Sequence, residues 1–120
     1  MTDPPSSTGC LFCRIATGEL PANRLHEDDQ VVAFRDIAPA APTHILLIPR
    51  RHLASALELS EDDGPLLARL FTVAADLARR EGIAEAGFRL VANVGAWGGQ
   101  SVDHLHLHLL GGRPLRWPAG

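Results

Sequence analysis

The chain has no apolar run approaching the roughly 20 residues that a helix needs to cross a bilayer, and its N-terminus lacks a charged-then-apolar signal pattern. Those absences argue against a membrane span and a secretory leader, and place the expected location in the cytoplasm. Positive charge is not in excess either. A formal charge of −3 and a pI near 6.0 leave no cationic footprint, which argues against nucleic acid as the partner. Arg50 and Arg51 make only a small basic spot. Cysteine is scarce: Cys10 and Cys13 are the only two, and their separation suits a metal or a redox pair better than a disulfide framework. There is no internal repeat. What remains is 120 residues with 46% hydrophobic content, enough for one domain with one core.

Residues 1–9, of which the first eight carry two prolines and small polar side chains without apolar periodicity, read as a disordered lead-in to a domain spanning residues 10–120. Leu11, Phe12 and Ile15, with Gly18 as a stop, fit a short helix. Arg24–Glu27 and Val31–Asp36 read as strands joined by a turn at Asp28, Asp29 and Gln30. Residues 38–42 form a stiff Ala/Pro connection to His44, which opens the apolar run Ile45–Ile48 bounded by Pro49, a central strand. Ser60, the acids that follow it and Pro65 mark the start of a long helix. Its apolar positions Leu66, Leu67, Leu70, Phe71, Ala74, Leu77 and Ala78 recur at three and four, and Gly82 ends it. Alternation from Phe88 to Val94 predicts another strand, and a glycine-rich loop over 95–101 leads to the last one.

That last segment is the most informative. In His104-Leu105-His106-Leu107-His108-Leu109-Leu110, three imidazoles occupy alternate positions. On a strand they share one face while the leucines anchor the other. Imidazole titrates near neutrality and can be nucleophile, acid, base or metal ligand, so the row implies chemistry or a metal. The competing interpretation is a solvated strand whose polar face happens to be histidine.

With Gly99-Gln100-Ser101-Val102 immediately before it, this segment resembles the histidine triad family of nucleotide hydrolases and transferases, most strongly its Hint branch. The resemblance runs from about Cys10 to Pro118. It includes Phe34-Arg35-Asp36-Ile37, Ala41-Pro42-Thr43-His44, Ile48-Pro49, Val91-Ala92-Asn93, Gly111-Gly112-Arg113 and Trp117-Pro118.

The resemblance implies an α+β fold: an antiparallel sheet of about five strands, one long and one short helix, and a homodimer that joins two sheets. It also implies a two-step displacement at the phosphorus of a purine nucleoside phosphoramidate. His106 matches the nucleophile that forms a covalent nucleotidyl intermediate, and His108 the donor to the non-bridging oxygens. His44 matches the residue whose hydrogen bonds set the tautomer and orientation of the nucleophile, and Ser101 the hydroxyl that assists the leaving group. Asp36 matches the carboxylate that accepts from ribose, Asn93 an amide near sugar and phosphate, and Gln100 belongs with the substrate-binding set. Phe12, Ile15, Phe34 and Ile37 correspond to apolar walls around the base. No catalytic cofactor is implied.

Cys10, Cys13, His52 and His104 match a tetrahedral structural zinc site carried by many bacterial members. Two plain buried thiols, or a surface redox pair, are the other readings of the cysteines. Asp103 and Ala119 depart from the family pattern, the first beside the histidines and the second at a C-terminus that in the family affects leaving-group preference. Three other functions fit less of the sequence: a hydrolase of dinucleoside polyphosphates or sulfated nucleotides, a zinc hydrolase ligated by His104, His106 and His108, and a nucleotide-binding module with little turnover.

Overall fold

A central sheet divides the molecule into two unequal apolar layers, and the alternation of side chains along its strands decides which residues enter each. The structure is a computed structural model and describes residues 9–120; apart from Gly9, the lead-in expected over residues 1–9 lies outside the described residues. The strands are β1 (Arg24–Glu27), β2 (Val31–Arg35), β3 (Thr43–Pro49), β4 (Arg89–Val91) and β5 (Leu107–Gly111). They form one sheet of order β1-β2-β3-β5-β4 in which every neighbour is antiparallel.

The α-helices of the described residues are α1 (Leu11–Ala16) and α2 (Gly64–Arg80). On one face of the sheet, Val31, Ala33, Ile45, Leu47, Leu107 and Leu109 pack against Leu66, Leu70, Val73, Ala74 and Leu77 of α2. The residues between them in β2 and β3, namely Val32, Phe34, Leu46 and Ile48, point the other way and meet Phe12 and Ile15 of α1. A register slip of one residue would exchange these two sets, so burial on both faces fixes the pairing.

Local chemistry sets the ends of the elements. Cys10 caps α1, its sulfur accepting from the Cys13 amide at 3.3 Å, and Gly18 leaves the helix at φ 86°. In the β1–β2 turn, Asp28 Oδ1 accepts from the amides of Gln30 and Val31 at 2.7 and 2.9 Å. Before α2, the Ser60 amide donates to Asp63 Oδ2 at 2.9 Å. The cap read from Ser60 therefore opens a 3₁₀ turn over Glu61–Asp63, and the α-helix begins at Gly64. At the other end Arg35 grips Glu81 with two hydrogen bonds of 2.8 and 2.9 Å, lashing the chain just after α2 to β2.

Two strands are shorter than the alternation predicts. β4 keeps only Arg89–Val91 of the expected Phe88–Val94, because it pairs with β5 alone and that pairing covers three residues. β5 starts at Leu107 rather than at the first histidine. Ahead of it the backbone makes other bonds: the Leu105 amide donates to Leu53 O at 2.6 Å and the His104 amide to Val102 O at 2.9 Å. The inward alternation survives the lost pairing, with His104 and His106 both buried. No helix of the described residues is long and apolar enough to cross a membrane.

Candidate active site

Beneath α1 lies a cavity of about 380 Å³ lined by Leu11, Phe12, Ile15, Leu20, Pro21, Ala22, Phe34, Arg35, Asp36, Ile37, Leu46, Ser101, Val102, His106 and His108. It is mostly apolar, with imidazoles, a hydroxyl and a carboxylate as its polar groups, and its size suits a nucleoside rather than a macromolecule. Of the residues picked from sequence, Phe12, Ile15, Phe34, Asp36, Ser101, His106 and His108 meet there. Ile37 also lines it but stands wholly exposed, at the rim rather than in a wall.

The tautomer of His106 is set by one main-chain atom. Its Nδ1 lies 2.7 Å from the carbonyl oxygen of His104, and a carbonyl can only accept, so Nδ1 carries the proton. In the neutral ring the lone pair is then on Nε2. The ring is buried, packed edge-on against Phe12 at 5.1 Å between centroids and 4.9 Å from the ring of His108.

A second chain of bonds fixes His108. The Ala40 amide donates to His44 Nδ1 at 3.0 Å, which leaves the proton of neutral His44 on Nε2. That nitrogen lies 2.9 Å from His108 Nδ1. His108 therefore accepts at Nδ1 and carries its own proton on Nε2, a buried atom with no hydrogen-bond partner among the described residues. Such an atom is costly unless something arrives to accept from it. Burial and the neighbouring rings of His106 and His44 push the His108 pKa down to about 4, with Asp36 opposing them. Burial likewise lowers that of His44, again against Asp36. Both rings are thus neutral donors at ordinary pH.

The role expected of His44 changes in this geometry. It orients His108, while the His104 carbonyl sets the tautomer of His106. Asp36 closes the array, with Oδ2 3.5 Å from His44 Nε2 and Oδ1 accepting from the Ala38 amide at 2.8 Å. Asp36, His44 and His108 lie close enough together to share a metal ion. A metal on His44 Nε2 would force the proton onto Nδ1, against the Ala40 donor, so the trio suits a proton-bearing relay and not a cation.

Two residues of the substrate set stand elsewhere. Gln100 uses its amide to brace the glycine-rich loop: Oε1 accepts from Gly95 N at 2.9 Å, and Nε2 donates to Ala54 O and Val102 O at 2.7 and 3.0 Å. Asn93 is half-buried just beyond β4 and is not among the cavity's lining residues. Sequence reasoning passed over the carbonyl of His104 and the amide of Ala40, since main-chain groups leave no mark in a side-chain pattern. It also passed over the walls Leu20, Pro21 and Ala22, which look like a plain turn.

Cys10, Cys13, His52 and His104 converge as a separate cluster whose ligand atoms all lie within 4.8 Å of one another. Cys10 Sγ is 3.3 Å from His104 Nδ1, and Cys13 Sγ is 3.3 and 3.5 Å from the Nδ1 atoms of His52 and His104. Sulfur and nitrogen ligands around a tetrahedral zinc stand about 3.5 Å apart, given bonds of about 2.3 and 2.0 Å. His104 Nε2 donates to Pro49 O at 2.8 Å, leaving Nδ1 free to ligate, as outer-sphere bonds do in metal sites. The cluster can hold a metal ion, and no group of described residues brings His104, His106 and His108 together as ligands.

Fold and site together define an α+β domain with a histidine-based site beside an apolar cavity. The sequence model of the HIT domain matches residues 17–115, and the chain belongs to the HIT domain family. It is 50% identical over 105 residues to the purine nucleoside phosphoramidase of Escherichia coli K12, covering 88% of each chain. The crystal structure of a HIT family hydrolase from Legionella pneumophila superposes with a TM-score of 0.91 at 54% identity, covering 92% of this chain and 99% of that one. A HIT family hydrolase from Clostridium thermocellum gives 0.89 at 44% identity, with 92% and 96% covered.

Proposed function

We propose that the protein is a hydrolase of purine nucleoside 5′-phosphoramidates, such as adenylylated amines, working through a covalent nucleotidyl-histidine. The observation that carries this reading is the bond from His106 Nδ1 to the His104 carbonyl, which in the neutral ring leaves the lone pair on Nε2 of a residue that lines the cavity. In the first step the Nε2 lone pair forms a bond to phosphorus and the P–N bond breaks, the amine leaving with a proton that solvent supplies by way of the Ser101 hydroxyl. Positive charge that develops on the His106 ring is shared with Nδ1–H, whose bond to the carbonyl strengthens as it becomes charge-assisted. Negative charge on the phosphoryl oxygens meets the Nε2–H of His108. In the second step water attacks phosphorus, the P–N bond to His106 breaks, and the monophosphate and a proton are released.

Ser101 assists departure of the amine, Asp36 accepts from the ribose, and Phe12, Ile15 and Phe34 sandwich the base. A name borne by a relative of 50% identity supports this substrate class. The cysteine–histidine cluster is assigned to structural zinc, which would tie α1 to the segments after β3 and before β5. Residues 10–120 are read as a single domain working as a homodimer.

The test is intact-protein mass spectrometry after an acid-free quench with adenosine phosphoramidate. The native protein should show a transient adduct of one adenylyl group. His106→Ala should show neither adduct nor turnover while still binding the monophosphate. A near-normal rate in that variant would remove His106 from its role.

A further inference from the structure

We infer that Arg113 and the main chain of Ala40 are positioning groups that hold His44 and His108 in the protonation pattern catalysis needs. The inference rests on the hydrolase reading above but concerns a property of the resting protein.

The connection between β2 and β3 reads Ala38-Pro39-Ala40-Ala41-Pro42. None of these side chains can donate or accept a hydrogen bond, so any polar influence on His44 from this loop comes from its backbone. Two of the five residues are prolines without an N–H, and Ala38 spends its own on Asp36. Ala40 turns its amide to His44 Nδ1 at 3.0 Å. An N–H cannot accept, so this contact excludes a proton from Nδ1 and places that of the neutral ring on Nε2. From there it reaches His108 Nδ1 at 2.9 Å and leaves the partnerless His108 Nε2 as a donor. Without the amide, His44 is free to hold its proton on Nδ1 and accept at Nε2. His108 would then donate through Nδ1 and present a lone pair to the phosphate, turning attraction into repulsion.

An apolar loop needs something else to hold that amide in place. Arg113 Nη2 donates to the Ala40 carbonyl at 3.1 Å, and Nη1 to the Pro114 carbonyl at 3.0 Å. The reach depends on Gly112, which has φ 93°, and where a Cβ would lie 2.8 Å from Pro42. Thr43 pairs with Gly111 directly beside it. Gly112 therefore lets the end of β5 press against the loop and deliver a guanidinium to Ala40. Arg113 has no carboxylate partner among the described residues, which is consistent with a role in gripping carbonyls.

The experiment is long-range ¹⁵N NMR of the imidazoles in the full-length protein, read beside steady-state kinetics with adenosine phosphoramidate. Native His44 and His108 should both show a bare Nδ1 and a protonated Nε2. Arg113→Met should mix the two tautomers and lower kcat about fivefold to tenfold with KM within about twofold, and Arg113→Lys, which keeps a donor, should restore most of both. Ala40→Pro deletes the amide and should shift His44 toward the Nδ1-protonated form. Should that variant not fold, the native spectrum and the Arg113 pair still decide. A native His44 protonated on Nδ1 would overturn the inference, as would an Arg113→Met protein whose melting temperature falls while tautomers and kcat stay unchanged. The expected tautomers in a protein that cannot cleave phosphoramidates would sink the hydrolase reading and leave the relay intact.

Discussion

Removing the metal proposed for the cysteine–histidine cluster should act on KM before kcat, and the reason lies in what the cluster would fasten. α1 has only six residues, and a helix so short does not persist alone in water. Its docked state rests on burying Phe12 and Ile15, 5% and 8% exposed, each worth about 1.5–3 kcal/mol. Ordering six residues of backbone costs about 6–12 kcal/mol. Apolar burial of about 3–6 kcal/mol offsets only part of that; hydrogen bonds add to it, and the proposed metal would add a staple through Cys10 and Cys13. Among the hydrogen bonds is the one from Arg24 to the Ile15 carbonyl. Chelation, or Cys13→Ala, should leave α1 docked only part of the time and dismantle the wall that Phe12 and Ile15 give the cavity. His104, whose carbonyl holds His106, stays tied through its Nε2 to Pro49 O and through its amide to Val102 O, and His108 lies in β5 paired with β3, so their geometry should survive. The expected result in steady-state kinetics is a KM raised about tenfold or more, about 1.4 kcal/mol of binding per factor of ten, with kcat within about threefold. The melting temperature should fall by several degrees. A collapse of kcat by more than about a hundredfold with KM and melting temperature unchanged would refute the reasoning and make the metal part of the chemistry.

His108→Ala should lower kcat about 10²–10³-fold by removing the donor to the phosphoryl oxygens. Because His44 acts through His108, the double variant with His44→Leu should be no slower than His108→Ala alone; losses that multiply in a double-mutant cycle would break the relay apart. The depressed pKa of His108 also links stability to pH. From its ordinary value of 6.5 down to about 4, the unfolded chain binds a proton that the folded state refuses. Stability is therefore full above pH 6.5 and declines as pH falls through that interval, by up to about 3 kcal/mol from this group. Urea titrations at a series of pH values check the slope, and a stability that rose on acidification would contradict a neutral buried His108.

Side-chain periodicity announced the sheet and the long helix because both are built by it. The two-residue alternation of β2 and β3 and the three-four spacing of α2 each report which atoms face which core. The same signal overshot at Phe88–Val94 and at His104, where alternation continues but a pairing partner does not. Of the site, Asp36, His44 and His52 were picked out by the family resemblance, whereas the three alternating imidazoles and the two paired cysteines were visible as residue types at telling intervals. What assigns their protons was not: it lies in the carbonyl of His104 and the amide of Ala40, and every residue but proline has both groups. Gln100 shows the converse. Its motif position suggested a ligand contact, whereas its amide is consumed in bracing the loop.

The division of the interior by the sheet carries a consequence for how such a protein can change. Residues that frame the cavity, among them Phe12, Ile15, Leu20, Ala22 and Phe34, belong to one apolar layer, while those that seat α2 belong to the other, with the β-sheet backbone between. Substitutions in layers that share no contacts combine nearly independently. A lineage could therefore reshape the walls for a different base or leaving group by successive small steps and leave the foundation of the fold untouched. Stabilising changes in α2 could accumulate first and supply the tolerance that such experiments in specificity require.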